Sequence, residues 1–172
     1  MAEHAPTQNE IMVGLVVERI EMSGPWIDHV WMPSQILTLL PDAAPWTIIM
    51  RNAERTRYYA GAFPVRLHPS STAQYLDNLA SAQPSLWVTM RPLGREPPVE
   101  IVSVTADTSE GEGYTETGTN VVETVPMPPE IAAVVADFVD QHHVERVFEK
   151  RKRDKSRSGG HDQRPPSERD KK

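Results

Sequence analysis

The sequence predicts an α+β fold: a mainly antiparallel sheet of about six strands, one short helix, one long C-terminal helix and a disordered basic tail. Three observations carry that expectation. Up to about residue 106 the chain is mostly a series of short β-branched and aromatic runs, and most successive runs are separated by turns too short for parallel crossovers. A capping-box spacing opens a short stretch of helical periodicity after residue 71, and a longer one begins at Pro128-Pro129.

Residues 11–20, IMVGLVVERI, form the first strand, and Ser23-Gly24-Pro25 marks a turn. Residues 26–37 then alternate loosely, with Ile27, His29 and Trp31 on one side and Trp26, Asp28, Val30 and Met32 on the other, so a hairpin is expected. A loop at 41–45 leads to a strand at 46–51, a polar turn at 52–55 and a strand at 56–67, in which Pro64 implies an edge or a bulge. These four strands read as a meander. Ser71-Thr72-Ala73-Gln74 has the spacing for reciprocal capping, and Thr72, Tyr75, Leu76 and Leu79 follow at helical intervals. The helix must end before Pro84, after which 85–91 and 99–106 are strands around a Pro/Gly turn at 92–98. The acidic stretch DTSEGEGYTETGTN, 107–120, is expected to be a loop with room for one helical turn.

The chain is organised around residues 128–153, its longest periodic segment and the place where its charge changes sign. Pro128 and Pro129 suit a first helical turn and Glu130 suits the positive end of the helix dipole. Ile131, Val134, Val135, Phe138 and His142 fall on one stripe that should dock on the core. Val144, Val147 and Phe148 lie about half a turn away on the same wheel. Either the helix breaks near His143 or it carries a second apolar face.

The 172 residues divide into a flexible N-terminus at 1–10, one domain at 11–153 and the tail at 154–172. Residues 1–145 hold 7 of the 18 Lys and Arg and 19 of the 24 Asp and Glu, a net −12, while 146–172 hold 11 and 5, a net +6. An acidic body thus carries a basic tail, whose simplest role is a solubilising one. No apolar run approaches the length needed to span a bilayer, and the first ten residues lack the pattern of a secretion signal, so a soluble cytoplasmic protein is expected. The absence of cysteine excludes disulfides, thiolate metal sites and a cysteine nucleophile.

No phosphate-cradling glycine motif is present, and Gly111-Glu112-Gly113 sits in an acidic stretch that would repel a pyrophosphate. A calcium-loop register from Asp107 fails, because it puts Glu112 where glycine is needed and Gly111 where an oxygen ligand is needed. His142-His143 with Glu145 is the most metal-like group, but adjacent helical residues diverge by about 100°, and no metal or cofactor is expected. In the simpler arrangement His142 finishes the apolar stripe and His143 faces solvent. No nucleophile elbow joins the available Ser, His and Asp. The densest aromatic and polar cluster is PWIDHVW, 25–31, and Arg55, Arg57, Tyr58 and Tyr59 lie on a later strand that could stand nearby; together they could form a pocket for a planar or anionic group, with Trp26, Asp28, His29, Trp31, Arg57 and Tyr59 as its expected residues. Two tryptophans with an Asp-His pair also serve simply to fill a core and satisfy its rim, and that is the simpler expectation. The basic run has no interleaved aromatic residue, so sequence-specific nucleic-acid binding is not expected. Val144, Val147 and Phe148 ahead of Lys150, Arg151, Lys152 and Arg153 make an amphipathic hook suited to a partner's groove.

The segments PWIDHVW (25–31), TRYYAG (56–61), NLASAQPS (78–85) and HHV (142–144), followed by KRKR (150–153), resemble those of an uncharacterised proteobacterial family, over residues 12–154. Members of that family tend to be encoded beside molybdenum-dependent formate dehydrogenase, and some carry the label molybdopterin-guanine dinucleotide biosynthesis protein. The resemblance implies an accessory or maturation factor for a molybdenum-containing oxidoreductase, binding a subunit of that enzyme or its assembly factor, and brings no catalytic residue with it. The label finds no support in the residues: a nucleotidyltransferase opens with a glycine-rich phosphate loop after its first strand, whereas here that strand runs into Glu18-Arg19-Ile20-Glu21-Met22. The acidic stretch 110–120 also replaces a more helical segment of the family pattern. Two functions follow as expectations: a protein-binding accessory factor using the hook, or a nucleotide- or pterin-binding domain or enzyme using the pocket.

Overall fold

The computed structural model describes residues 9–144. Seven strands form two antiparallel sheets. β1 (Glu10–Glu21), β2 (His29–Leu37), β3 (Thr47–Arg51) and β4 (Arg55–Arg66) make the first, in the order β2-β1-β4-β3. β5 (Ser85–Pro92), β6 (Val99–Thr105) and β7 (Val121–Pro126) make the second, in the order β6-β5-β7. β2 runs near β7 and β4 near β6, so the sheets meet at both flanks and enclose one core. Helices α1 (Thr72–Ala80) and α3 (Pro129–His142) pack together, and α2 (Thr108–Gly113) lies against β5.

The α+β class stands, with three corrections to its layout. The strands form two sheets rather than one, and β7 is a seventh strand, drawn from VVETVP, whose β-branched content was signal enough. The first four strands are two hairpins joined by the long-range β1–β4 ladder, not a meander. Pro64 fits because β3 accompanies β4 only as far as Tyr59, leaving the stretch around Pro64 paired on one side, and a bulge offsets β1 from β4 at Leu15/Val16.

Val13, Leu15 and Val17 of β1, Leu86, Val88 and Met90 of β5, Val125 of β7 and Ile131, Val135, Phe138 and Val139 of α3 meet in the core. Leu15 is fully buried, and such a side chain contributes about 2 kcal/mol from leaving water. The opposite face of β1 is covered as well. Val16 is fully buried there and the Tyr59 ring lies over Gly14, where a Cβ would come within 3.2 Å of it.

Local details depart from the simplest expectations. The Ser71 side chain makes no cap bond and the Gln74 Oε1 is buried without a partner, so the capping box does not close; a 3-10 turn at Pro69–Ser71 enters the helix instead. Asn78 of α1 is the fastener of this region. Its Nδ2 donates to the carbonyls of Ser85 and Ala106, both at 2.8 Å, and its Oδ1 accepts from the Ser85 amide at 3.0 Å. In the acidic stretch, Asp107 caps α2 by accepting from the amides of Ser109 and Glu110. α3 ends at His142, with His143 in extended conformation. Its buried stripe contains Val139 rather than Val134 and His142, which are exposed.

Candidate functional site

A cleft of about 840 Å³ opens between the two sheets, with β2, Trp46 and β4 on one side and β5, β7 and the β5–β6 turn on the other. Strand parity builds its aromatic wall. Trp31 of β2 stands opposite Arg19 of β1, and Tyr58 of β4 stands opposite Val17, so both share the core-side face with Leu15 and Val13. Trp46, in left-handed backbone conformation at φ 68°, turns its ring to the same group. The Trp31 ring is the hub, with centroids 5.4 Å from Tyr58, 6.1 Å from Trp46 and 6.0 Å from His29, at angles typical of favourable aromatic contacts. Met90, Val99 and Val121 extend the apolar lining from the second sheet.

Charged groups frame this wall. Arg19 holds Glu21 at 2.8 Å, and its guanidinium lies 3.4 Å from His29 Nδ1. Glu123 of β7 and Arg95 and Glu96 of the β5–β6 turn line the other side. Among the described residues no hydrogen bond or ion pair engages Glu123, although it is half-buried. A second cavity of about 400 Å³ lies on the far side of the same turn and shares Trp46, Arg95, Pro97 and Val99 with the cleft.

Of the six pocket residues expected from sequence, His29 and Trp31 line the cleft. The other four do not join them. Trp26 is 92% exposed in the loop before β2, and Asp28 is exposed beside it. Arg57 faces the opposite side of the sheet, where it meets Glu18 at 3.0 Å and Gln35 at 2.9 Å, and Tyr59 is buried on that same side against Gly14. The reason is register: Arg57 pairs with Glu18 while Trp31 pairs with Arg19, one residue along, which places their side chains on opposite faces. Trp46 and Glu123 carry no signal in the sequence that points to the cleft, and Tyr58 lines it where its neighbours Arg57 and Tyr59 were expected to. Only the β1–β4 register, Val17 opposite Tyr58, separates Tyr58 from Arg57 and Tyr59.

Of the hook, Val144 is 78% exposed, while Val147, Phe148, Lys150, Arg151, Lys152 and Arg153 lie outside the described residues, as does the tail at 154–172. The two histidines exchange their expected roles. His142 is exposed, with its ring 4.4 Å from Phe138, and His143 is half-buried with Nδ1 3.0 Å from the Thr72 hydroxyl. Among the described residues no group of three His, Asp or Glu is placed to hold a metal ion, and no helix is long and apolar enough to cross a membrane.

No curated protein and no solved structure matches this chain. A family model described as a protein of unknown function matches residues 12–152, nearly the span over which the sequence resemblance was drawn, and the chain belongs to that family, DUF3305.

Proposed function

We propose that this protein works by recognition rather than by catalysis, and that the cleft between the sheets is its working surface. The supporting observation is the convergence of Trp31, Trp46, Tyr58 and His29 on an open, mainly apolar cavity bordered by charged groups. Packing alone explains rings that touch one another, but a core cluster would close over itself. Titrating small ligands while following tryptophan fluorescence tests the proposal, since two of the four tryptophans line the cleft. A panel of nucleotides, organic cations and neutral analogues that leaves the fluorescence and the melting temperature unmoved at millimolar concentration would refute it. A ligand at a hundredfold its dissociation constant adds about 2.7 kcal/mol to stability, well within reach of a thermal melt.

The sequence resemblance supplies a biological context for such a domain: an accessory or maturation factor for a molybdenum-containing oxidoreductase of the formate dehydrogenase type. In that role the cleft or the hook at 144–153 would engage a subunit or an assembly factor. Purifying the tagged protein from its host under gentle conditions tests this, and recovery without any redox-enzyme subunit or assembly factor counts against it. A nucleotide or pterin in the cleft is the second reading, favoured by the Trp31, Trp46 and Tyr58 rings, on which a planar ligand could stack.

A further inference from the structure

The charges around the cleft discriminate between ligand classes. Arg19 is the cation set against the aromatic wall, and it is already engaged by Glu21 at 2.8 Å and lies beside the His29 ring. Its charge is therefore largely spent before any anion arrives. Arg95 and Glu96 are exposed neighbours on the turn and opposite in charge, so the turn adds no net charge to the rim. That leaves Glu123, a half-buried carboxylate on the cleft wall with no hydrogen-bond or ion-pair partner among the described residues. A nucleotide or other phosphate ligand would meet its repulsion, and the remaining cation of the lining, Arg95, stands exposed on the turn beside Glu96. The aromatic faces point the same way, because the ring quadrupole presents negative potential to whatever sits over it.

Resting on the proposal that the cleft is a recognition site, we propose that its ligand is an organic cation, a quaternary ammonium or guanidinium group seated against the Trp31, Trp46 and Tyr58 rings with Glu123 as its counter-charge. The cleft then combines two partial attractions. The rings supply cation-π contact and shield the cation from water, and the carboxylate supplies a charge that the protein itself leaves unmatched. Neither element alone gives selectivity for charge over shape, since an apolar cleft also takes neutral molecules of the same outline.

The test uses matched pairs on the full-length chain, read by tryptophan fluorescence and confirmed by calorimetry. Choline is compared with 3,3-dimethylbutan-1-ol, its neutral isostere, and N-acetylarginine amide with N-acetylcitrulline amide; the two pairs separate an ammonium source from a guanidinium source. The expected result is a cation bound about tenfold or more tightly than its neutral isostere in at least one pair. Glu123→Gln should bring that pair to near parity by weakening the cation alone, and Tyr58→Leu should weaken the cation more than its isostere. Melting curves of both variants establish that they are folded, and the wild-type comparison stands without them. Equal affinity for cation and isostere in both pairs would overturn the proposal and leave an apolar binding cleft. Binding of guanosine monophosphate in preference to all four probes would likewise overturn it while sustaining the recognition role. A preference for cations that survives Glu123→Gln would overturn the assignment of that carboxylate. Silence from every probe, nucleotide included, would sink both proposals.

Discussion

Alanine at Gly111 and at Gly113 should shift stability in opposite directions, although both glycines lie in or next to the same short helix. At Gly113 the backbone is helical, φ −58° and ψ −31°, and an added Cβ meets nothing within 4 Å. Alanine there removes unfolded-chain entropy without strain and should raise stability by about 0.4–1 kcal/mol. At Gly111 the added Cβ would stand 2.5, 2.6 and 2.7 Å from Cγ, Cδ2 and Cβ of Trp87. Ordinary contacts begin near 3.4 Å, so the groups must separate by nearly 1 Å. The Trp87 Cβ is fixed by the backbone, so no rotamer change removes its contact, and relief requires moving α2 off β5. Overpacking of this kind costs about 1–3 kcal/mol against a gain of about 1 kcal/mol from helix propensity. The net expectation is a loss of up to about 2 kcal/mol, or up to about 8 °C in Tm for a chain of this size. Urea and thermal melts measure both variants, with near-UV circular dichroism reporting the Trp87 environment. Equal stabilisation by the two substitutions would refute the packing of α2 on Trp87.

Other substitutions probe separate parts of the fold. Asn78→Asp keeps the acceptor for the Ser85 amide but loses both donors and turns a carboxylate toward two carbonyls, so it should cost about 3 kcal/mol or more at neutral pH. The introduced carboxyl should have a raised folded-state pKa, so the stability deficit should be smallest below the unfolded value of about 4 and should widen as pH rises through the folded one; urea midpoints between pH 4 and 8 that show no such trend would refute this. Burial pushes the Tyr75 phenol above its ordinary value, against the opposing hydrogen bond donated by the His68 amide at 3.0 Å. Above about pH 10 the unfolded chain ionises this group first, so stability should fall with further alkalinity, and Tyr75→Phe should flatten that fall in denaturant midpoints measured from pH 9 to 11. Glu18 lies 3.0 Å from Arg57 and 3.3 Å from Arg55, and Glu18→Gln should destabilise by about 1 kcal/mol, with a deficit that shrinks in 1 M salt.

The strands and helices were largely legible because each rests on a local signal: β-branched runs, a proline pair at the start of α3, turn residues between strands. The partition into two sheets was not, since it depends on β1 pairing with β4, two strands separated by a whole hairpin, and no local pattern states that choice. The site suffered from the same gap. His29 and Trp31 were selected by composition and do line the cleft, but choosing Arg57 and Tyr59 over Tyr58 was a decision about parity, and parity is fixed by register. The helix end at His142 was one of two outcomes the wheel allowed. His143 then leaves helical geometry and turns its ring to Thr72, a contact that no periodicity anticipates.

Strand β3 bears on how the molecule behaves among its own copies. It is an edge of the first sheet, all five of its residues are exposed, and Ile48 and Ile49 are among them, which is the profile of a strand that invites another chain to add on. The register shift between Ile48 and Met50 works against that invitation, because it breaks the even spacing of amides and carbonyls that an incoming strand would need to match. One irregular residue step thus guards this edge against regular strand addition. A change that straightens this step exposes a regular apolar edge, and self-association of folded molecules follows from that without any loss of the core.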